Sequence, residues 1–101
     1  ETKKPSELNG KQRNRKELKK LISKLTRETN LLEETISDQE AQIRNIDLIF
    51  SGKDFFKNAD NRKIENMQTS KNELEQELKL HMREWETKTH QLEEARTEFE
   101  N

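Results

Sequence analysis

The stretch LKKLISKLTRETNLLEETISDQEAQIRNIDLIF, Leu18 to Phe50, decides the fold. Read in alternating steps of four and three it gives Leu18, Ile22, Leu25, Thr29, Leu32, Ile36, Gln39, Ile43, Ile46 and Phe50. Eight of these ten are apolar, and nearly everything between them is polar or charged. That is the a/d seam of a heptad helix, held for more than four repeats. A strand would alternate every second residue, and a globular helix would carry a wider apolar face. Such a stripe must be covered by another helix.

A second seam supplies the cover. Ile64, Met67, Lys71, Leu74, Leu78, His81, Trp85, Lys88, Leu92, Ala95 and Phe99 follow the same rule, with eight of eleven apolar. Met67, Trp85 and Phe99 read as seam residues rather than as parts of a cofactor box. Residues 1–10 read as a linker, because Pro5, Asn9 and Gly10 break helix and no period runs through them. The spacing predicts helix 1 over about 11–50, a tip over 51–60 and helix 2 over about 61–98. Gly52 suits a C-terminal cap. Ser51 and Asp54 have capping-box spacing, which suggests one short helical turn in the tip. Asn58 or Asp60 can cap helix 2.

Phase alone also permits one unbroken helix in a parallel dimer, since Phe50 and Ile64 stand two heptads apart. Lys53, Lys57 and Asp60 would then occupy the intervening seam, and Gly52 and the Asn58/Asn61 cluster disfavour helix there. The fold expected is therefore all-α, a two-helix antiparallel coiled-coil hairpin over residues 11–101. Placing Phe50 opposite Ile64 sets the expected register: Ile36 against Leu78, Ile22 against Leu92, Thr29 against Trp85. Phe55 and Phe56 would fold back over the end of the seam.

Composition agrees with an elongated helical protein. Of 101 residues, 41% are charged and 27% hydrophobic, too few apolar groups for a pocket-bearing globular core. There is no Cys, so disulfides and Cys-based zinc sites are excluded. No apolar run approaches the ~18–20 residues of a membrane span. The chain opens on Glu1 rather than Met, which reads as a piece of a longer protein.

Enzymatic signals are missing. Gly10-Lys11 and Gly52-Lys53 lack the rest of a phosphate-binding loop. His81 has Glu84 one turn on but falls in the seam without further ligands, and zinc wants three or four. His90 falls on an outer position. No carboxylate pair sits in an apolar setting that would tune it for acid–base work. The expectation is no catalytic residue, no metal site and no cofactor in these residues.

The net charge of −1 conceals a strong asymmetry: residues 1–27 hold ten basic and three acidic side chains, and residues 73–101 hold four and nine. Arg13, Lys16, Lys20, Lys24 and Arg27 recur at one-turn intervals on the helix 1 face opposite the seam, interrupted only by Glu17. Cations in such a row can track a phosphate backbone. Lys53 and Lys57 form a lesser cluster at the tip. Interleaved aromatics are absent from the row, so contact with nucleic acid would be electrostatic, with little sequence readout. The competing expectation is a structural spacer or protein-interaction coiled coil whose charges only solvate it. Self-association is left open by the pattern.

Several segments resemble a known family. Lys16-Glu-Leu-Lys-Lys-Leu21, Leu31-Leu-Glu-Glu-Thr-Ile36 and the aromatic linker Phe50-Ser-Gly-Lys-Asp-Phe-Phe56 form one part. Asn72-Glu-Leu-Glu-Gln-Glu-Leu78, Arg83-Glu-Trp-Glu86 and Leu92-Glu-Glu94 form the other. Together they resemble the C-terminal coiled-coil domain of ABC-F ATPases, the soluble ABC proteins that include the Uup subfamily, over residues 11–98. The aromatic linker and the Arg-x-Trp-Glu pattern are the specific elements. The C-terminal arm of valyl-tRNA synthetases is a weaker likeness. The resemblance implies a cytoplasmic, ribosome- or nucleic-acid-associated appendage, DNA-binding in Uup-like members. ATP and magnesium would belong to upstream ATPase domains of the same chain.

Overall fold

The computed structural model describes residues 13–52 and 54–101. Three helices follow in order: α1, Arg15–Phe50; α2, Phe55–Asn58; and α3, Asn61–Glu100. α1 and α3 of the same chain pack against each other as an all-α hairpin. The unbroken parallel rod is thereby excluded for this chain. The expected linker, residues 1–10, lies outside the described residues.

Helix 1 starts at Arg15 rather than Lys11, and a cap explains the difference. Asn14 Oδ1 accepts the Glu17 N–H at 2.8 Å, while the Asn14 N–H donates to Glu17 Oε1 at 3.3 Å. This reciprocal pair is a capping box, and it satisfies two amide groups that a helix start leaves open. At the far end, Ser51 N–H donates to Asp47 O at 2.9 Å and Gly52 N–H to Ile49 O at 3.1 Å. A Cβ on Gly52 would lie 3.3 Å from that Ile49 oxygen, so the tight closure favours glycine.

The short tip helix forms, but without the expected Ser51/Asp54 box. Asp54 precedes α2 and makes no side-chain capping bond, while Ser51 Oγ donates back to Leu48 O at 2.9 Å. A serine just past a helix end finds an open carbonyl closer than a distant amide. Of the two candidate caps for α3, Asp60 serves: its Oδ1 accepts the Lys63 N–H at 2.8 Å. α3 then continues to Glu100, two residues beyond the expected end.

Contacts gather the chain into two units: the described residues up to Leu31 with Trp85–Asn101, and Leu32–Glu84. In the first, Leu18, Leu25, Leu92 and Ala95 are buried. Each is a predicted seam residue, and a buried leucine contributes ~1.5–3 kcal/mol. Arg15 closes this unit, its guanidinium 3.9 Å over the Phe99 ring and donating to the Phe99 carbonyl at 2.6 Å. In the second unit the buried seam position is polar, Gln39 at 6% exposure, and the apolar seam residues are half-buried. All other seam positions on both helices are also shielded, none being exposed.

The register differs from the one expected. In the second unit Gln39 donates to Glu77 at 3.3 Å and meets His81 Nδ1 at 3.0 Å, whereas the Phe50–Ile64 pairing would set it opposite Glu75. Lys71 pairs with Asp47 at 2.6 Å. In the first unit Lys88 pairs with Glu28 at 2.9 Å. These contacts fit a register in which Ile22 is level with Ala95, Leu25 with Leu92, Thr29 with Lys88, and Gln39 with Leu78. The reason is directional. Running one helix backwards reverses its three–four spacing, so an a position meets a d position of its partner. Setting a against a, as Phe50 against Ile64 does, aligns only every second layer.

The carboxylate of Glu77 can only accept, so the Gln39 amide nitrogen must face it. Gln39 Oε1 is then turned to His81, whose Nδ1 carries the proton and donates.

Candidate nucleic-acid interface

The cationic row lies on the first unit, where the α1 backbone fixes its spacing. Lys16, Lys20, Lys24 and Arg27 are four, four and three residues apart, rising in steps of about 6, 6 and 4.5 Å at 1.5 Å per residue. All four are exposed. Among the described residues no carboxylate stands within ion-pair distance of them.

Arg13 is placed differently. Its guanidinium donates to Glu98 Oε1 on α3 at 2.6 Å, with both side chains partly covered. Although the row is expected on the face opposite the seam, at this residue α3 engages it. Arg13 precedes the Asn14 cap, so its chain is not yet committed to the helical face that carries the other four. Lys57 is exposed in the last turn of α2, in the second unit, and Lys53 lies outside the described residues.

One contributor escaped the periodic reading. Lys19 is exposed on the flank of the same α1 segment, and the Lys19-Lys20 doublet was the available signal. Counting only outer heptad positions left it out. Glu17, which seemed to interrupt the row, has its carboxylate turned to the Asn14 amide, so it acts as a cap.

The row's field registers on its neighbour. Glu28 has its carboxyl held below the ordinary carboxylate range, first by the hydrogen bond from Lys88. Desolvation opposes this, and the charges of Lys88, Lys24 and Arg27 add to it. The nearest carboxylate on α1 is thus engaged across the seam by Lys88.

A shallow groove beside the row is lined by Ile22, Ser23, Thr26, Arg27, Asn30 and Leu31. It is open to solvent, and Arg27 is the one titratable group in its wall. Among the described residues no group of three metal-ligating side chains gathers, and no helix is long and apolar enough to cross a membrane. His81 is engaged by Gln39, and His90 lies 3.3 Å from Glu94 on the surface.

Comparison with family models, curated proteins and solved structures found no match. What the site offers is an exposed ladder of positive charge on a rigid helix. The groove beside it is open to solvent.

Proposed function

We propose that this hairpin contacts nucleic acid through the α1 face carrying Lys16, Lys20, Lys24 and Arg27, with Lys19 beside them. The single observation behind this reading is that these cations stand exposed with no ion-pair partner among the described residues, while the neighbouring charges Arg13, Lys88 and Glu28 are engaged between the helices. Anions spaced along a backbone match a ladder of this kind, and with no aromatic residue interleaved between Lys16 and Arg27 the contact is insensitive to sequence. The wider setting we propose is the C-terminal coiled-coil appendage of an ABC-F type ATPase, with DNA, ribosomal RNA or transfer RNA as the polyanion. ATP binding and hydrolysis would lie in upstream domains, and these residues would carry no catalysis.

Titrating a labelled duplex with the chain at several salt concentrations tests the proposal. Four phosphate contacts predict a slope of log K against log salt of about −3.6. Changing Lys16, Lys20, Lys24 and Arg27 together to Glu should abolish binding while leaving the helical circular dichroism unchanged. A slope near zero, or undiminished binding by that variant, would remove the idea.

A spacer or protein-interaction arm is the second reading. It draws on the exposed apolar side chains Leu48 and Phe56 in the second unit. It expects no nucleic acid binding at low salt.

A further inference from the structure

The second unit ends in three phenylalanines that form one ordered cluster. Phe50 and Phe56 lie 5.8 Å apart and 24° from parallel, a stacked pair. Phe55 meets Phe56 edge-on at 5.1 Å and 81°, and Phe50 at 5.5 Å and 57°. Gly52 allows the turn that gathers them, with the Phe55 N–H donating to the Gly52 carbonyl at 3.3 Å. Each geometry is one that aromatic quadrupoles favour. Phe56 is therefore held by two other rings, yet it remains 55% exposed. A lone exposed apolar side chain needs no explanation. A ring oriented by its neighbours and left half-open is a π surface fixed in advance.

Its surroundings specify what would sit on it. Lys57 follows directly and is exposed, as are Arg62 and Lys63 a few residues on. Among the nearby carboxylates, Asp60 accepts the Lys63 amide, while Asp54 and Glu65 stand exposed. Over residues 50–72 five basic and three acidic side chains leave a net charge of +2. Stacking surface beside exposed ammonium groups suits a flat base joined to a phosphate better than an aliphatic peptide or a second copy of this cationic tip.

We propose that Phe56 is a stacking platform for an unpaired nucleobase, with Lys57 contacting the adjoining phosphate, so that the tip takes single-stranded nucleic acid. This inference rests on the reading that the chain binds nucleic acid, but at residues separate from the α1 row. Where stacking carries the contact, preference follows stacking area, and adenine outranks uracil.

The test uses the full chain and three labelled probes at low salt: oligoadenylate, oligouridylate and a duplex of equal length. Phe56→Leu keeps the apolar volume and removes the π face. It should weaken oligoadenylate binding about tenfold, the range of one base–aromatic stack, and leave duplex binding unchanged. Phe56→Trp should retain or tighten it, which separates stacking from any loss of fold. Lys57→Ala should reduce the single-strand salt slope by about one.

Unchanged oligoadenylate binding by Phe56→Leu, or an equal loss on duplex, overturns the platform. If the four-residue Glu variant then still loses duplex binding, the α1 reading survives without it. If that variant binds duplex normally while Phe56→Leu loses the single strand, the platform stands and the α1 row falls. No binding of any probe overturns both.

Discussion

A pair of engineered disulfides distinguishes the two registers. Both use Leu92→Cys, combined either with Leu25→Cys or with Ile22→Cys. The contact of Glu28 with Lys88, together with the a-against-d layering, sets Leu25 level with Leu92. Leu25 and Leu92 are both buried, at 4% and 7% exposure. Ile22 lies three residues away, about 4.5 Å along the helix axis. Cα atoms that face each other across a seam at ~6–6.5 Å fall inside the range a disulfide spans. Adding that axial offset takes them to ~8 Å, beyond the ~7 Å limit. The Leu25/Leu92 pair should therefore oxidise within one chain, and the Ile22/Leu92 pair should not. Its loop of about 67 residues should add about 4 kcal/mol by constraining the unfolded chain, offset by roughly 1–2 kcal/mol for each leucine replaced. Non-reducing electrophoresis reads the linkage, and urea unfolding with and without reductant reads the stability. Efficient closure of Ile22/Leu92 with none at Leu25/Leu92 would refute the a-against-d layering. Products formed only between chains would refute the hairpin.

Other outcomes follow from single contacts. Asn14→Ala removes half of the capping box and should cost about 1 kcal/mol, seen as a lower urea midpoint. Gln39→Leu should leave stability unchanged or raise it by about 1 kcal/mol. Burying leucine contributes about 2 kcal/mol, and the two hydrogen bonds lost contribute about 1 kcal/mol together where their partners reach water. A fall above 1 kcal/mol would give the Gln39 layer a larger stabilising role. Glu28 has a lowered carboxyl pKa through its Lys88 hydrogen bond. Its contribution is present above the unfolded carboxylate pKa and is lost as pH falls through the lower folded value. Lys71 has a raised pKa through its Asp47 hydrogen bond, and its contribution is lost only as pH rises through that raised value. Glu28→Gln should thus flatten the acid limb of a thermal-stability profile, and Asp47→Asn the alkaline limb.

The seam was legible in the sequence because burial follows periodicity. Every position from Leu18 to Phe50 and from Ile64 to Phe99 that the heptad rule selects is shielded in the fold, polar Thr29 and Gln39 included. The hairpin was legible too, since Gly52 and the polar tip interrupt helix. The register was not. It depends on how two reversed three–four spacings interlock, and placing the two seam ends, Phe50 and Ile64, opposite each other does not supply that. Helix 1 was placed four residues too early because composition marks good helix formers, whereas the boundary was written in Asn14-x-x-Glu17. Within the candidate site, exposure of Lys16, Lys20, Lys24 and Arg27 follows from their heptad positions. The engagement of Arg13 by Glu98 does not, because a long side chain just outside a helix is free of the helix's angular rule.

The polar residues of the α3 seam bear directly on where positive charge is left over. Lys88 occupies a core position, yet its ammonium cannot stay between apolar layers without a partner. Its flexible stem carries the charge to the flank, where Glu28 accepts it. Lys71 does the same with Asp47 in the second unit. Each seam lysine thereby engages an α1 carboxylate that would otherwise neutralise nearby α1 cations. In the first unit Glu28 is turned to Lys88, so among the described residues it makes no close ion pair with Lys24 or Arg27 and acts on them only through its field. Replacing Lys88 with leucine should then do two things together. It should free Glu28 to pair with Lys24 one turn away, and it should weaken polyanion binding although no binding residue has changed. A Lys88→Leu chain that binds duplex with unchanged affinity and salt slope would show that the α1 row owes nothing to this division of charge.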